Sequence, residues 1–157
     1  MKKNTMLSAS LLLVMGCCCT VYSQAQYSGY VKYVGSAAAG TVTVESTGFG
    51  KKRAESGADA AAEALYTLLF KGLPGSSDYQ LPMVAHEEEK KHDPVIIALL
   101  NGGYGAYITA DILKYEENKK KRVDGAKGKM TIHVITFNCD ALRRHLEENS
   151  VIRKFGY

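Results

Sequence analysis

Four groups of residues have types and spacings that could carry chemistry. The first is Ser46-Thr47-Gly48-Phe49-Gly50-Lys51-Lys52-Arg53, which begins like a phosphate-binding loop. A Walker loop needs four residues between its first glycine and its Gly-Lys pair, then a serine or threonine for magnesium, so that the backbone can curl around the phosphates. Glu45 stands where that first glycine is required and Lys52 where the hydroxyl is required, which argues against a nucleotide. Two readings remain. Gly48 and Gly50 form a corner between a strand and a helix by supplying unusual backbone angles. Alternatively, the N–H groups of a helix start, with Lys51, Lys52 and Arg53 beside them, hold a carboxylate, a lipid phosphate or a partner.

The second group, His86-Glu87-Glu88-Glu89-Lys90-Lys91-His92, sets its histidines six residues apart. A zincin helix needs His-Glu-x-x-His so that both imidazoles leave one face, and position 90 is lysine. Glu88 and His92 have the spacing to share a metal, but Glu87 and Lys91 repeat that spacing as an ordinary solvated face. The expectation is no metal and no cofactor. The third group is Cys139 with His133. Cys139 lies beside an expected helix N-terminus, which lowers a thiol pKa, and His133 shares its side if the strand runs unbroken through Asn138. A small hydrolase using Cys139 with His133 is therefore the alternative enzymatic reading. No serine sits in a Gly-x-Ser-x-Gly context. The fourth group, Lys119-Lys120-Lys121-Arg122 with Lys127 and Lys129, makes a basic hairpin tip partly offset by Glu116, Glu117 and Asp124. Usually such a tip is only solvated, but in an exported protein it can rest on acidic lipid head groups or on a partner.

The elements that must position these groups follow from periodicity. Residues 30–34 and 41–46 alternate as strands around a small-residue stretch. From Ala54, the residues Ala58, Ala61, Ala62, Leu65, Leu68 and Leu69 recur at helical spacing up to Gly72, with alanines that allow close approach to a sheet. Asp93-Pro94 reads as an N-cap followed by proline at the first helical position, so residues 95–100 form a short helix stopped by Gly102-Gly103. Strands over 105–116 and 127–137 come next, and Asn138 or Asp140 caps a last helix containing Leu142, His145 and Leu146. The order β-β-α-α-β-β-α implies an α+β domain over 26–157, with a mixed or mostly antiparallel sheet of about four strands and two or three helices packed on it.

Lys2 and Lys3, followed by an apolar run from Met6 to Val14, give the N-terminus the layout of an export signal, too short to span a bilayer comfortably. Two processing sites compete: Ser23-Gln24-Ala25 before Gln26, giving a signal peptide of residues 1–25, and Val14-Met15-Gly16-Cys17, a lipoprotein-like box that would end a signal of residues 1–16 and acylate Cys17. Removing Lys2 and Lys3 leaves 18 basic against 16 acidic residues, which is no footprint of a nucleic-acid binder. Cleavage after Ala25 also leaves Cys139 as the only cysteine, so no intramolecular disulfide and no cysteine-built zinc site can form.

A strand leading into Thr47-Gly48-Phe49-Gly50, an alanine-spaced helix ending in Leu68-Leu69-Phe70 and Gly72, and then strands with a charged turn resemble a family of uncharacterised exported proteins of Bacteroidota. The same pattern is more distantly similar to the N-terminal domain of the flagellar assembly protein FlgT and to the fold shared by the CsgG and LpoB lipoproteins. The resemblance covers residues 40–75 well and 105–157 loosely. It implies an accessory or assembly role in the cell envelope, exercised in the periplasm or at the outer membrane by binding another component, and it brings no catalytic residues with it.

Overall fold

The computed structural model describes residues 29–117, 120–123 and 126–154. Strand β1 (Val31–Gly35) pairs antiparallel with β2 (Thr41–Gly50), which pairs antiparallel with β5 (Ala126–Asn138), which pairs antiparallel with β3 (Ile108–Glu116). The sheet order is β1-β2-β5-β3, and a short strand β4 (Lys121–Val123) pairs with the first residues of β5. The fold is α+β, as its pattern implied. β2 alternates strictly: Val42, Val44, Ser46 and Gly48 are buried, while the residues between them are half-buried. That period of two is what a strand with one covered face requires.

The covering layer is led by helix α1 (Arg53–Tyr66), which seats Ala60, Ala61, Ala64 and Leu65 on β2 and β5. Small side chains let the helix lie close, and the leucines of the next turn supply the apolar area. α1 runs into a π-helical turn, Thr67–Lys71, that buries Leu68, Leu69 and Phe70 before Gly72 at φ +76° ends it. Helix α2 (Glu87–Lys90) occupies part of the charged segment, where Tyr66 donates its hydroxyl proton to Glu87. α3 (Pro94–Leu100) starts as expected, with the Asp93 carboxylate accepting the Val95 N–H at 2.9 Å. A 3₁₀ turn over Gly103–Tyr107 delays β3 to Ile108, three residues later than the periodicity suggested. Of the two expected caps for α4 (Cys139–Glu148), Asn138 does the capping and accepts the Ala141 N–H at 3.0 Å, leaving Asp140 in the first turn. The inward strand residues Val42, Val44, Ile135 and Phe137 join Leu65, Leu68, Ile96, Leu99, Leu142 and Leu146 in one core.

Among the described residues, two that are not glycine have left-handed backbones, His86 at φ 60° and Ser150 at φ 58°. Ser150 follows the C-cap of α4, where a left-handed residue lets Val151 N–H reach back to Leu146 O at 2.9 Å. Glycine fits that position without the Cβ penalty. Ser150→Gly is therefore expected to raise stability by about 0.5–1 kcal/mol, seen as a higher urea midpoint at unchanged slope. A lower midpoint would show that the hydroxyl is needed there.

Candidate functional site

The glycines of Thr47-Gly48-Phe49-Gly50 do not serve as the expected corner. Both lie within β2, and among the described residues the left-handed glycines are Gly40, Gly72, Gly75 and Gly102. Their role is close approach. A Cβ on Gly48 would stand 1.9 Å from the Ser56 carbonyl oxygen and 2.5 Å from the Ala60 nitrogen, and one on Gly50 would stand 2.5 Å from the Ser56 nitrogen. α1 thus rests directly on the backbone of β2, and the buried Ser46 hydroxyl fastens it by donating to Ala60 O at 2.7 Å. The amides around the corner are already used. Phe49 N–H donates to Asp59 Oδ2 at 2.9 Å, and Lys51 N–H to Glu55 Oε2 at 3.0 Å. Burial holds the Asp59 carboxyl above its usual range, against the lowering effect of the Phe49 amide. Lys51, Lys52 and Arg53 extend into solvent.

Beside the same stretch of α1 the sheet is wider than the helix that covers it. A groove runs between α1 and β3, walled by Arg53, Gly57 and Ala58 on one side and Asp111 and Leu113 on the other, with His133 at its base. His133 is 6% exposed, and its Nδ1 lies 2.7 Å from Asp111 Oδ1. The β3–β5 register explains the meeting. Leu113 stands opposite His133, and Asp111 is its diagonal neighbour on the same face. Gly57 makes room for the ring, since a Cβ there would come within 3.2 Å of Cε1. His133 Nε2 and Thr131 Oγ1, two residues apart on the covered face of β5, are buried without a hydrogen-bond partner. Tyr104 closes one end by donating to Ala58 O at 3.3 Å.

A carboxylate on Nδ1 fixes the imidazole orientation and leaves Nε2 buried beneath the helix, where Gly57 packs over the ring. The groove lining contains no serine, threonine or cysteine to act as a nucleophile. Cys139 is not that nucleophile. β5 does run unbroken through Asn138, so His133 and Cys139 belong to the same side, but six strand residues separate them by about 20 Å. Cys139 is 0% exposed and sits beside Tyr79, and its Sγ faces Phe137 O at 3.9 Å. Burial pushes its thiol up to about 12, which overrides the lowering expected from the helix N-terminus.

The remaining candidates stay apart. In the histidine-rich segment Glu88 pairs with Lys91 at 2.6 Å, not with His92, and His86 is the N-cap of α2. Among the described residues no three metal-ligating side chains come together. At the hairpin tip Lys129 pairs with Glu116 at 2.7 Å, while Lys120 and Arg122 are exposed and Lys121 lies on β4. Lys119, Cys17 and the whole leader lie outside the described residues. Among those residues no helix is long and apolar enough to cross a membrane. No protein-family model, curated protein or solved structure matches the chain.

Proposed function

We propose that the protein is exported to the cell envelope and works without catalysis, by binding another envelope component in an accessory or assembly role. The observation that carries this reading is the face of the sheet turned away from α1. Helices pack on one face, and the other is left bare among the described residues, with Val34 54%, Ile112 62% and Tyr115 50% exposed. Val134 and Ile132 on β5 face Ile112 and Tyr115 across the β3–β5 ladder, and β2, with Glu45 paired to Lys114, separates them from Val34 on β1. Exposed apolar side chains gathered on one face of a small domain mark an interaction surface. The leader pattern and the resemblance to exported envelope families point the same way. A lone acid–base pair without a nucleophile, and a thiol sealed in the core, give the hydrolase alternative no geometric support.

The test is site-specific photo-crosslinking in cells, with the probe at Ile112 or Tyr115 and, as a control, at Arg144 on the exposed side of α4. An adduct of defined mass from the two sheet positions, absent from the control, is expected in the envelope fraction, and the adduct from position 115 should be lost in Ile112→Asp. Equal labelling from all three positions, or none, would refute the reading.

A further inference from the structure

A cleft of about 1200 Å³ opens beside the later turns of α4, between the chain around α2 and the segment after α4. Four cations line it: Lys90 from α2, Arg143 from α4, and Arg153 and Lys154 from the segment that follows. Glu147 is the one carboxylate in its wall. The cleft thus gathers basic side chains from three separate segments of the chain.

Pairing sharpens the contrast. Lys71, Lys91, Lys114 and Lys129 each have a carboxylate partner. Lys90, Arg153 and Lys154 form no ion pair among the described residues. The walls are also held in place. Met83 and Val84 N–H groups bond to Leu68 and Leu69 carbonyls at 3.3 and 2.8 Å, and Val151 is tied to Leu146. His86 and Ser150, the two left-handed residues that are not glycine, sit on opposite walls. Met83 and Val151 are buried beneath.

We propose that this cleft binds a phosphate-bearing anion. Arginine presents a planar fork that matches phosphate oxygens, and several cations against one carboxylate suit a group of charge about −2 better than a single carboxylate. The site is separate from both basic stretches singled out by sequence. β5 has 13 residues and places the start of α4 about 40 Å from the hairpin tip, with Gly50 paired to Lys129 near that far end. The phosphate can belong to a soluble phosphomonoester or to a phospholipid headgroup, and the experiment separates the two.

Inorganic phosphate and glycerol phosphate are titrated into the full chain while the amide resonances are followed. In parallel, the chain is sedimented with phosphatidylcholine vesicles that contain or lack phosphatidylglycerol. A saturable shift of His86 and residues 150–154 on phosphate identifies a soluble ligand. Retention by the anionic vesicles alone, without saturation by free phosphate, identifies a headgroup. In either case the double reversal Arg153→Glu/Lys154→Glu is expected to weaken the response about tenfold or more. Both side chains are exposed, so the melting temperature should hold, and Lys90→Glu serves as a second variant if it does not. No saturable response from either probe would overturn the proposal. A response unchanged by the reversals, or one that maps to residues 51–53 or 120–122, would overturn it as well.

Discussion

Replacing Gly48 with alanine is expected to cost about 3 kcal/mol or more, enough to leave a small domain partly unfolded. The added Cβ would meet the Ser56 carbonyl at 1.9 Å and the Ala60 nitrogen and Cβ at 2.5 and 2.8 Å. Two of these three are backbone atoms of α1, so relief requires moving the helix rather than turning a side chain. Moving it loosens the Ser46–Ala60 hydrogen bond and opens space under Ala60 and Ala64, both fully buried. Gly50→Ala should cost less, about 1–2 kcal/mol, because its contacts fall on Glu55 and Ser56 in the first turn of α1, where Ser56 is buried but Arg53, Ala54 and Glu55 are exposed and the helix end can shift. Gly35→Ala is the control, since nothing lies within 4 Å of its Cβ. Urea unfolding of the three variants checks the order. Asparagine at position 48 separates close approach from backbone angle: a left-handed requirement would make it milder than alanine, and close approach makes it at least as damaging.

The Gly48 result bears on how far this fold was legible in its sequence. The alternation of β2, the alanine face of α1, the Asp93-Pro94 start of α3 and the Asn138 cap are local patterns, and each appears where its residues placed it. The function of Gly48 and Gly50 is not local. A glycine that permits a turn and one that admits a neighbouring helix look the same in a sequence, and only the packing of α1 on β2 tells them apart. The pairing of Asp111 with His133 was hidden for a related reason. The two residues are 22 apart, and they meet because β3 and β5 pair in one register and Gly57 leaves space above the ring. A signal existed in the inward-facing polar residues Thr131 and His133, which break an otherwise apolar face of β5.

The basic cleft was hidden more completely. In the sequence Lys90 belongs to a charged run, and Arg153 and Lys154 stand more than sixty residues later. Their charges become one field only when the chain around α2 is pinned to the π-helical turn and the chain after α4 folds back beside it. β4 was also missed, although Asp124-Gly125 between Val123 and Ala126 is the dipeptide that commonly joins two paired strands.

Cys139 is expected to react with iodoacetamide at neutral pH about a thousandfold or more slowly in the native protein than in urea. The thiolate is the reacting species, and burial moves the thiol from 9.0 to about 12, which lowers the thiolate fraction at neutral pH in proportion. Zero exposure means that the reagent must also wait for the chain around β5 and α4 to open. The same shift sets a dependence of stability on pH. The native state holds the Cys139 proton more tightly than the unfolded chain does, so its contribution is complete below pH 9 and declines as pH rises toward 12, by roughly 1.4 kcal/mol per unit. Tyr79, also pushed up to about 12 by burial, declines in the same direction but only from its ordinary value of 10.0. The interval between pH 9 and 10 therefore isolates the cysteine, and Cys139→Ala should remove the loss there while leaving the later one. Fast alkylation of the folded chain at neutral pH, slowed by His133→Ala, would instead show an activated thiol and restore the hydrolase reading that the 20 Å separation along β5, about six residues of strand, now opposes.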